Sequence, residues 1–220
     1  MLRTEIFRDT NNYYLNGYDN LSDKLVNFAK NHSGKKILDI GCATGDYSKR
    51  LTELNFQVVG IDINPDYVDL ARKNNIEAYC LDAKHLSDKF PEKSFDTVLL
   101  FEVLEHVEDP EKIIEQAKKV ARKNILITVP DSTGYYNLKA LGLTYEHMLE
   151  QDHRSFFTIT ELENLLKKFS DHVEVIEDEP LPIGGIGLPF WLRYPVSTLY
   201  RHNLLRSNVY MRLYAVIDLQ

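Results

Sequence analysis

With 220 residues, 44% of them hydrophobic and 27% charged, the chain is long enough to bury a sizeable core, and its composition excludes intrinsic disorder. Its net charge of −7 argues against a general nucleic-acid binder, since Lys and Arg neutralising phosphates supply most non-specific affinity. Cys42 and Cys80 lack C-x-x-C spacing, which leaves no disulfide framework or structural zinc site. No apolar run approaches the ~18 residues of a membrane span, and "MLRTEIFRDTNNYY" has no signal pattern, so a cytoplasmic protein is expected.

The first 33 residues contain "DTNNYYLNGYDN", whose Tyr13, Tyr14 and Tyr18 suit either a lid over a ligand or an N-terminal helix packed on the domain. Short apolar runs of strand length then alternate with helical patterns. "KKILDI" (35–40) is followed by the helical "DYSKRLTEL", and "QVVGID" (57–62) by "PDYVDLARKN". After "EAYCLD" (77–82) and "SFDTVLLF" (94–101) comes "PEKIIEQAKKVARK", with Ile113, Ile114, Ala117, Val120 and Ala121 at helical spacing. Asp109 is its expected N-cap, with Pro110 at the first helical position. "KNILITV" (123–129) is a fifth strand, and a helix capped by Thr160 with Glu163 is expected before "HVEVIED" and "VYMRLYAVID", the sixth and seventh. This alternation predicts an α/β domain with a mostly parallel, doubly wound sheet whose last strand is antiparallel.

In such sheets ligands bind beyond the carboxyl ends of the strands, at the switch point. After the first strand, "DIGCATGDY" places Gly41 and Gly45 around a tight turn that lets a ligand approach the backbone, with Asp39 just before it. Asp62 ends the second strand, where a carboxylate can accept hydrogen bonds from both ribose hydroxyls. A dinucleotide fingerprint would need glycine at Ala43 and Asp46. Acidic residues beside the turn instead suit an adenosine ligand with a cationic amino-acid end, and S-adenosylmethionine fits that description.

The segments "ILDIGCATG", "VVGIDIN", "LDAKHL", "FDTVLLFEVLEHVEDP" and "ITVPDS", from about Lys36 to Ser132, resemble class I S-adenosylmethionine-dependent methyltransferases, in particular the ubiquinone O-methyltransferase-like branch. The resemblance implies a Rossmann-like seven-stranded fold in a single domain over residues 1–220. It places Asp39, Gly41 and Gly45 at the methionine end, Asp62 on the ribose with Ile63 beside it, Asp82 and Ala83 around adenine, and Phe101 near the sulfonium. Ala43 stands where many members carry glycine.

Glu102, Glu105 and His106 in "FEVLEHVEDP" fall at i, i+3 and i+4, so a helix after the fourth strand would bring them to one face at the mouth of the site. Similar runs in ubiquinone O-methyltransferases and small-RNA 3′-end 2′-O-methyltransferases bind a divalent metal, and in the RNA enzymes a downstream histidine completes the set. That resemblance implies Glu102, Glu105, His106 and His153 as ligands for Mg²⁺, Mn²⁺ or Zn²⁺. Without metal, His106 or His153 becomes the candidate general base, and His147 is a lesser candidate.

Segments 1–33, 131–158 and 179–208 are left to select the methyl acceptor. The last separates two strands that a short hairpin would otherwise join, as a small inserted lobe. It begins "EPLPIGGIGLPFWLRYP" and continues "VSTLYRHNLLR"; its aromatics and arginines suit a membrane surface, a lipid-linked or phosphorylated substrate or a dimer contact through 185–214, or simply a lobe packed on its own sheet. From Pro180 onward, Arg193, Arg201, Arg206 and Arg212 stand against the single acid Asp218. The leading expectation is O-methylation of a small molecule, a glycan or lipid-linked intermediate among the options. Two alternatives stay open: RNA 3′-end methylation, and a non-catalytic module that only binds S-adenosylmethionine.

Overall fold

In the computed structural model, which describes residues 21–133, 153–180, 189–202, 204–205 and 209–220, the apolar runs pair into one seven-stranded sheet. The strands are β1 (Lys36–Ile40), β2 (Gln57–Asp62), β3 (Glu77–Cys80), β4 (Phe95–Phe101), β5 (Ala121–Pro130), β6 (Val173–Pro180) and β7 (Tyr210–Asp218). Their order is β3-β2-β1-β4-β5-β7-β6, with β7 antiparallel to both neighbours and the remaining pairs parallel. The switch point therefore lies between β1 and β4. Because β7 runs against the rest, its start and the end of β6 open on the same edge of the sheet as the carboxyl ends of β1, β2 and β4.

Among the described residues the helices are α1 (Asp23–His32), α2 (Asp46–Glu53), α3 (Pro65–Lys73), α4 (Leu86–Lys89), α5 (Pro110–Val120), α6 (Ile159–Leu166) and α7 (Phe190–Arg201). Alternate residues of a strand face opposite sides, and both sides are covered here. Leu38, Ile40, Val98 and Leu100 pack with Ile113, Ile114 and Ala117 of α5, whereas Ile37, Leu99 and Leu126 pack with Leu25 and Ala29 of α1 and Leu51 of α2. Each such buried aliphatic side chain contributes on the order of 2 kcal/mol.

The described part of the 1–33 segment is the packed helix α1; Tyr13, Tyr14 and Tyr18, on which the lid expectation rests, lie outside the described residues. Asp109 caps α5 as expected, its carboxylate accepting the Lys112 N–H at 3.0 Å. The helix stops at Val120, short of the expected Lys123, because Ala121 is extended and pairs with Phe95 of β4. A second correction concerns α6. Its capping box is Thr158 with Glu161, not Thr160 with Glu163: Thr158 Oγ1 accepts the Glu161 N–H at 3.3 Å and Glu161 Oε2 accepts the Thr158 N–H at 2.9 Å. Both threonines satisfy the T-x-x-E pattern. The earlier one prevails where Phe157 is bridged to Asp131 and Leu162 and Leu166 are buried.

Gly60 of β2 sits against the turn that follows β1, and a Cβ there would lie 2.7 Å from Cys42 Sγ and 3.0 Å from its Cβ. Gly60→Ala is therefore expected to lower stability by about 1–3 kcal/mol in denaturant melts. Adding Cys42→Ala should recover part of that loss. An unchanged midpoint in the single variant would contradict this packing.

Candidate active site

The loop between β1 and α2 is built on left-handed backbone: φ is 72° at Gly41, 45° at Ala43 and 82° at Gly45. Alanine at the middle position costs of order 1 kcal/mol relative to glycine, which the surrounding hydrogen bonds offset. Gly41 and Cys42 donate their N–H groups to the Ile61 carbonyl at 2.8 and 3.0 Å. Asp62 then closes the arrangement, accepting the Ala43 N–H on one carboxylate oxygen at 2.9 Å and the Asn64 N–H on the other at 2.8 Å. Each oxygen keeps a further lone pair for ligand hydroxyls. Ile63, beside it, is 70% exposed, a large apolar side chain open to solvent next to that carboxylate.

Asp39 lies beneath this loop, 4% exposed, with the Ser48 hydroxyl of α2 donating to it at 2.5 Å. Burial pushes its pKa up to about 6, against the lowering effect of the Ser48 bond and with the charge of Asp62 adding to the rise. Asp82 accepts the Lys84 N–H at 2.9 Å and caps a 3₁₀ turn at Ala83–His85, with Ala83 half-buried against the core. Phe101, expected near the sulfonium, is a core residue: it is 8% exposed, with ring centroids 6.1 Å from Phe28 and 6.3 Å from Tyr47.

After β4 the chain does not enter the expected helix. Glu102 turns left-handed, with φ 54°, and Leu104–His106 is a short 3₁₀ turn, so the i, i+3, i+4 face does not form. Glu105, His106 and His153 nevertheless converge: each offers one ligand atom, and these atoms lie within 4.8 Å of one another. Glu105 is 1% exposed, and the imidazole rings of His106 and His153 are 4.8 Å apart at 70°. The link is made by main chain, because Arg154 and Ser155 donate their N–H groups to the Glu105 carbonyl at 2.6 and 3.0 Å. This turn abuts the glycine loop, since a Cβ on Gly41 would meet Val103 Cγ2 at 2.8 Å. His147 lies outside the described residues.

Glu102 is a correction. Instead of joining the histidines, its carboxylate pairs with Arg212 of β7 at 3.2 Å. Arg212 also reaches Glu179 at 2.6 Å, whose other oxygen accepts the Tyr214 hydroxyl at 2.5 Å. Burial alone would lower the Arg212 pKa, but the two carboxylates outweigh it and hold the guanidinium charged. The group ties together the edge ends of β4, β6 and β7. It was not legible as a site, since Arg212 meets Glu179 only through the pairing of two strands about thirty residues apart in sequence.

A family model described as a methyltransferase domain matches residues 13–170. The chain belongs to this family, the class I S-adenosylmethionine-dependent methyltransferases. Among curated relatives, a ubiquinone biosynthesis O-methyltransferase of Idiomarina loihiensis is 35% identical over 107 residues, 44% of each chain. One of Xanthomonas euvesicatoria pv. vesicatoria is 32% identical over 121 residues, 51% of each. The chain spans about half the length of the curated relatives it matches. The fold is shared with a SAM-dependent methyltransferase of Archaeoglobus fulgidus (TM-score 0.66, 16% identity, 89% of this chain and 91% of that one). It is also shared with the magnesium protoporphyrin IX methyltransferase of Synechocystis with bound S-adenosylhomocysteine (TM-score 0.56, 17% identity, 88% and 80%).

The raised pKa of Asp39 has a measurable consequence. The folded protein keeps this proton up to about pH 6, whereas the unfolded chain releases it near 3.8, so stability present below pH 3.8 is lost as pH rises through 6. Asp39→Asn cannot ionise and should escape that loss. Its stability advantage over the parent is expected to open between these two values and to level off at roughly 2–3 kcal/mol. Denaturant melts across this range check it, and a constant difference would contradict it.

Proposed function

We propose that the protein transfers a methyl group from S-adenosylmethionine to a hydroxyl oxygen of a small molecule, and that Glu105, His106 and His153 manage the acceptor's proton. The observation that carries this reading is the convergence of one buried carboxylate and two imidazoles directly beside the glycine loop. The loop fits the cofactor through its left-handed turn, through the lone pairs Asp62 keeps for ribose hydroxyls, and through the open apolar face of Ile63, which a base could cover. Asp39 supplies negative charge beneath the turn, Asp82 and Ala83 follow the third strand where adenine is expected, and the relatives named as O-methyltransferases favour oxygen as the acceptor atom.

When bound, S-adenosylmethionine supplies a methyl group on a positively charged sulfur, so the protein has to align an acceptor and remove its proton. An imidazole suits that task because it changes charge near neutral pH. His106 is partly exposed and can face an acceptor, while the hydrogen bonds from Arg154 and Ser155 hold His153 next to it. The donor set also fits a divalent cation: two imidazoles and a carboxylate suit Mn²⁺, Zn²⁺ or Mg²⁺, would leave positions for two neighbouring substrate oxygens, and would lower a hydroxyl's pKa there. Glu102, committed to Arg212, is left out of that set. The net charge of −7 speaks against RNA as the acceptor.

The test is Mn²⁺ binding followed by electron paramagnetic resonance, alongside methyl transfer to catechol-type and single-hydroxyl acceptors. The expected result is one site lost in Glu105→Gln and His153→Ala but kept in Glu102→Gln, with catechols preferred and turnover falling at least ~100-fold in the first two variants. Turnover without any bound ion would leave the histidines as general bases. Full turnover in a Glu105→Gln/His106→Ala/His153→Ala variant would overturn the proposal.

A further inference from the structure

Helix α7 presents its apolar stripe the wrong way round for a core helix. Positions 191, 194, 195, 198 and 199 follow the i, i+3, i+4, i+7, i+8 pattern that ordinarily faces a core. Here Trp191 is 71% exposed, Tyr194 76% and Leu199 39%, with Pro195 also exposed and Thr198 half-buried on the same stripe. Leu192, which borders this stripe next to Leu199, and Val196, further round the helix, are half-buried. Just past the helix, Leu204 is 70% exposed and Leu205 39%, so the apolar surface continues beyond the last turn.

Two further observations say what would cover such a face. The first is charge: between Pro180 and Ile217 the chain carries Arg193, Arg201, Arg206 and Arg212 and no acid, in a protein whose net charge is −7. Arg212 is occupied by Glu102 and Glu179, and the other three stand within α7 or shortly after it in sequence. The second is residue type. Tryptophan and tyrosine favour the boundary between headgroups and acyl chains, where the ring is buried and the polar atom stays wet. Among the described residues no helix is long and apolar enough to cross a membrane, so such a helix would lie along a surface.

We propose that α7 and the following leucines form a docking surface for an anionic lipid bilayer. Trp191, Tyr194, Leu199 and Leu204 enter the headgroup boundary, and the arginine excess of this stretch of sequence favours anionic lipid over neutral lipid. The segment connects the end of β6 to the start of β7, and both open on the sheet edge that carries Gly41, Asp62 and Glu105. Docking there brings the active-site edge toward the membrane, where a lipid-borne acceptor would be presented. That last consequence rests on the proposed methyl transfer; the docking itself does not.

Trp191 is the only tryptophan of the chain, so its fluorescence reports on this face alone. The protein is titrated with phosphatidylcholine vesicles, with and without phosphatidylglycerol, and with vesicles carrying brominated acyl chains. A blue shift and bromine quenching on phosphatidylglycerol-containing vesicles, weakened by salt, are expected. Tyr194→Ser/Leu204→Ser should weaken vesicle binding roughly tenfold or more while leaving the thermal midpoint and S-adenosylhomocysteine affinity unchanged. No shift and no co-sedimentation at high lipid concentration would overturn the proposal. So would a blue shift without lipid that follows protein concentration in step with dimer formation in analytical ultracentrifugation, which would make this face a contact between two copies. Vesicle binding without methyl transfer would uphold the surface and count only against the chemistry.

Discussion

The carboxylate of Asp62 joins two parts of the chain that the site cannot do without. By accepting the N–H groups of Ala43 and Asn64, it fixes the glycine loop against the end of β2 and at the same time orders the turn that starts α3. Two hydrogen bonds to an ionised acceptor are worth on the order of 3 kcal/mol together, enough to hold left-handed backbone at Ala43. The same carboxylate keeps lone pairs directed away from those amides. One residue thus sets the shape of the loop and the polarity of the space in front of it, and Asp39, Val103 and the turn carrying Glu105 are arranged against that loop.

Left-handed backbone and charge meet at two residues on this edge of the sheet. Glu102 and Glu179 both adopt positive φ, at 54° and 61°, and both are held by Arg212. Non-glycine residues stay in that region only when their surroundings over-determine them, and a shared guanidinium does so here. The consequence for the chemistry is separation of roles: Glu102 helps hold the strand ends together, while Glu105 and the two histidines are presented beside the loop. A sequence with carboxylates at 102 and 105 looks symmetrical, but the structure gives them different partners.

The parallel core was readable because its signals are local. Continuous apolar runs such as 95–101 mark strands buried on both faces, and Asp109 followed by Pro110 marks where α5 starts. That the glycine loop lies against the end of β2 was legible for the same reason, since loop and strand end are adjacent in this topology. What stayed hidden depended on competition or on distant pairing. Ala121 reads as the next turn of α5 until the hydrogen bonds it makes with β4 are counted, and Thr158 and Thr160 both offer a cap. The 3₁₀ turn at Leu104–His106 could not be told from a helix by spacing alone. The outward stripe of α7 has the helical period of a buried face, and periodicity carries no information about which way a face points.

The most direct test of the account is calorimetric titration of S-adenosylhomocysteine into the parent protein and into Asp62→Asn. One binding site is predicted in the parent, weakened roughly 10- to 100-fold in the variant, or about 1.4–2.7 kcal/mol, because a neutral amide loses the charge-assisted bonds to ligand hydroxyls. Equal affinity in both proteins would contradict the role of Asp62. Absence of binding in the parent would contradict the cofactor site itself.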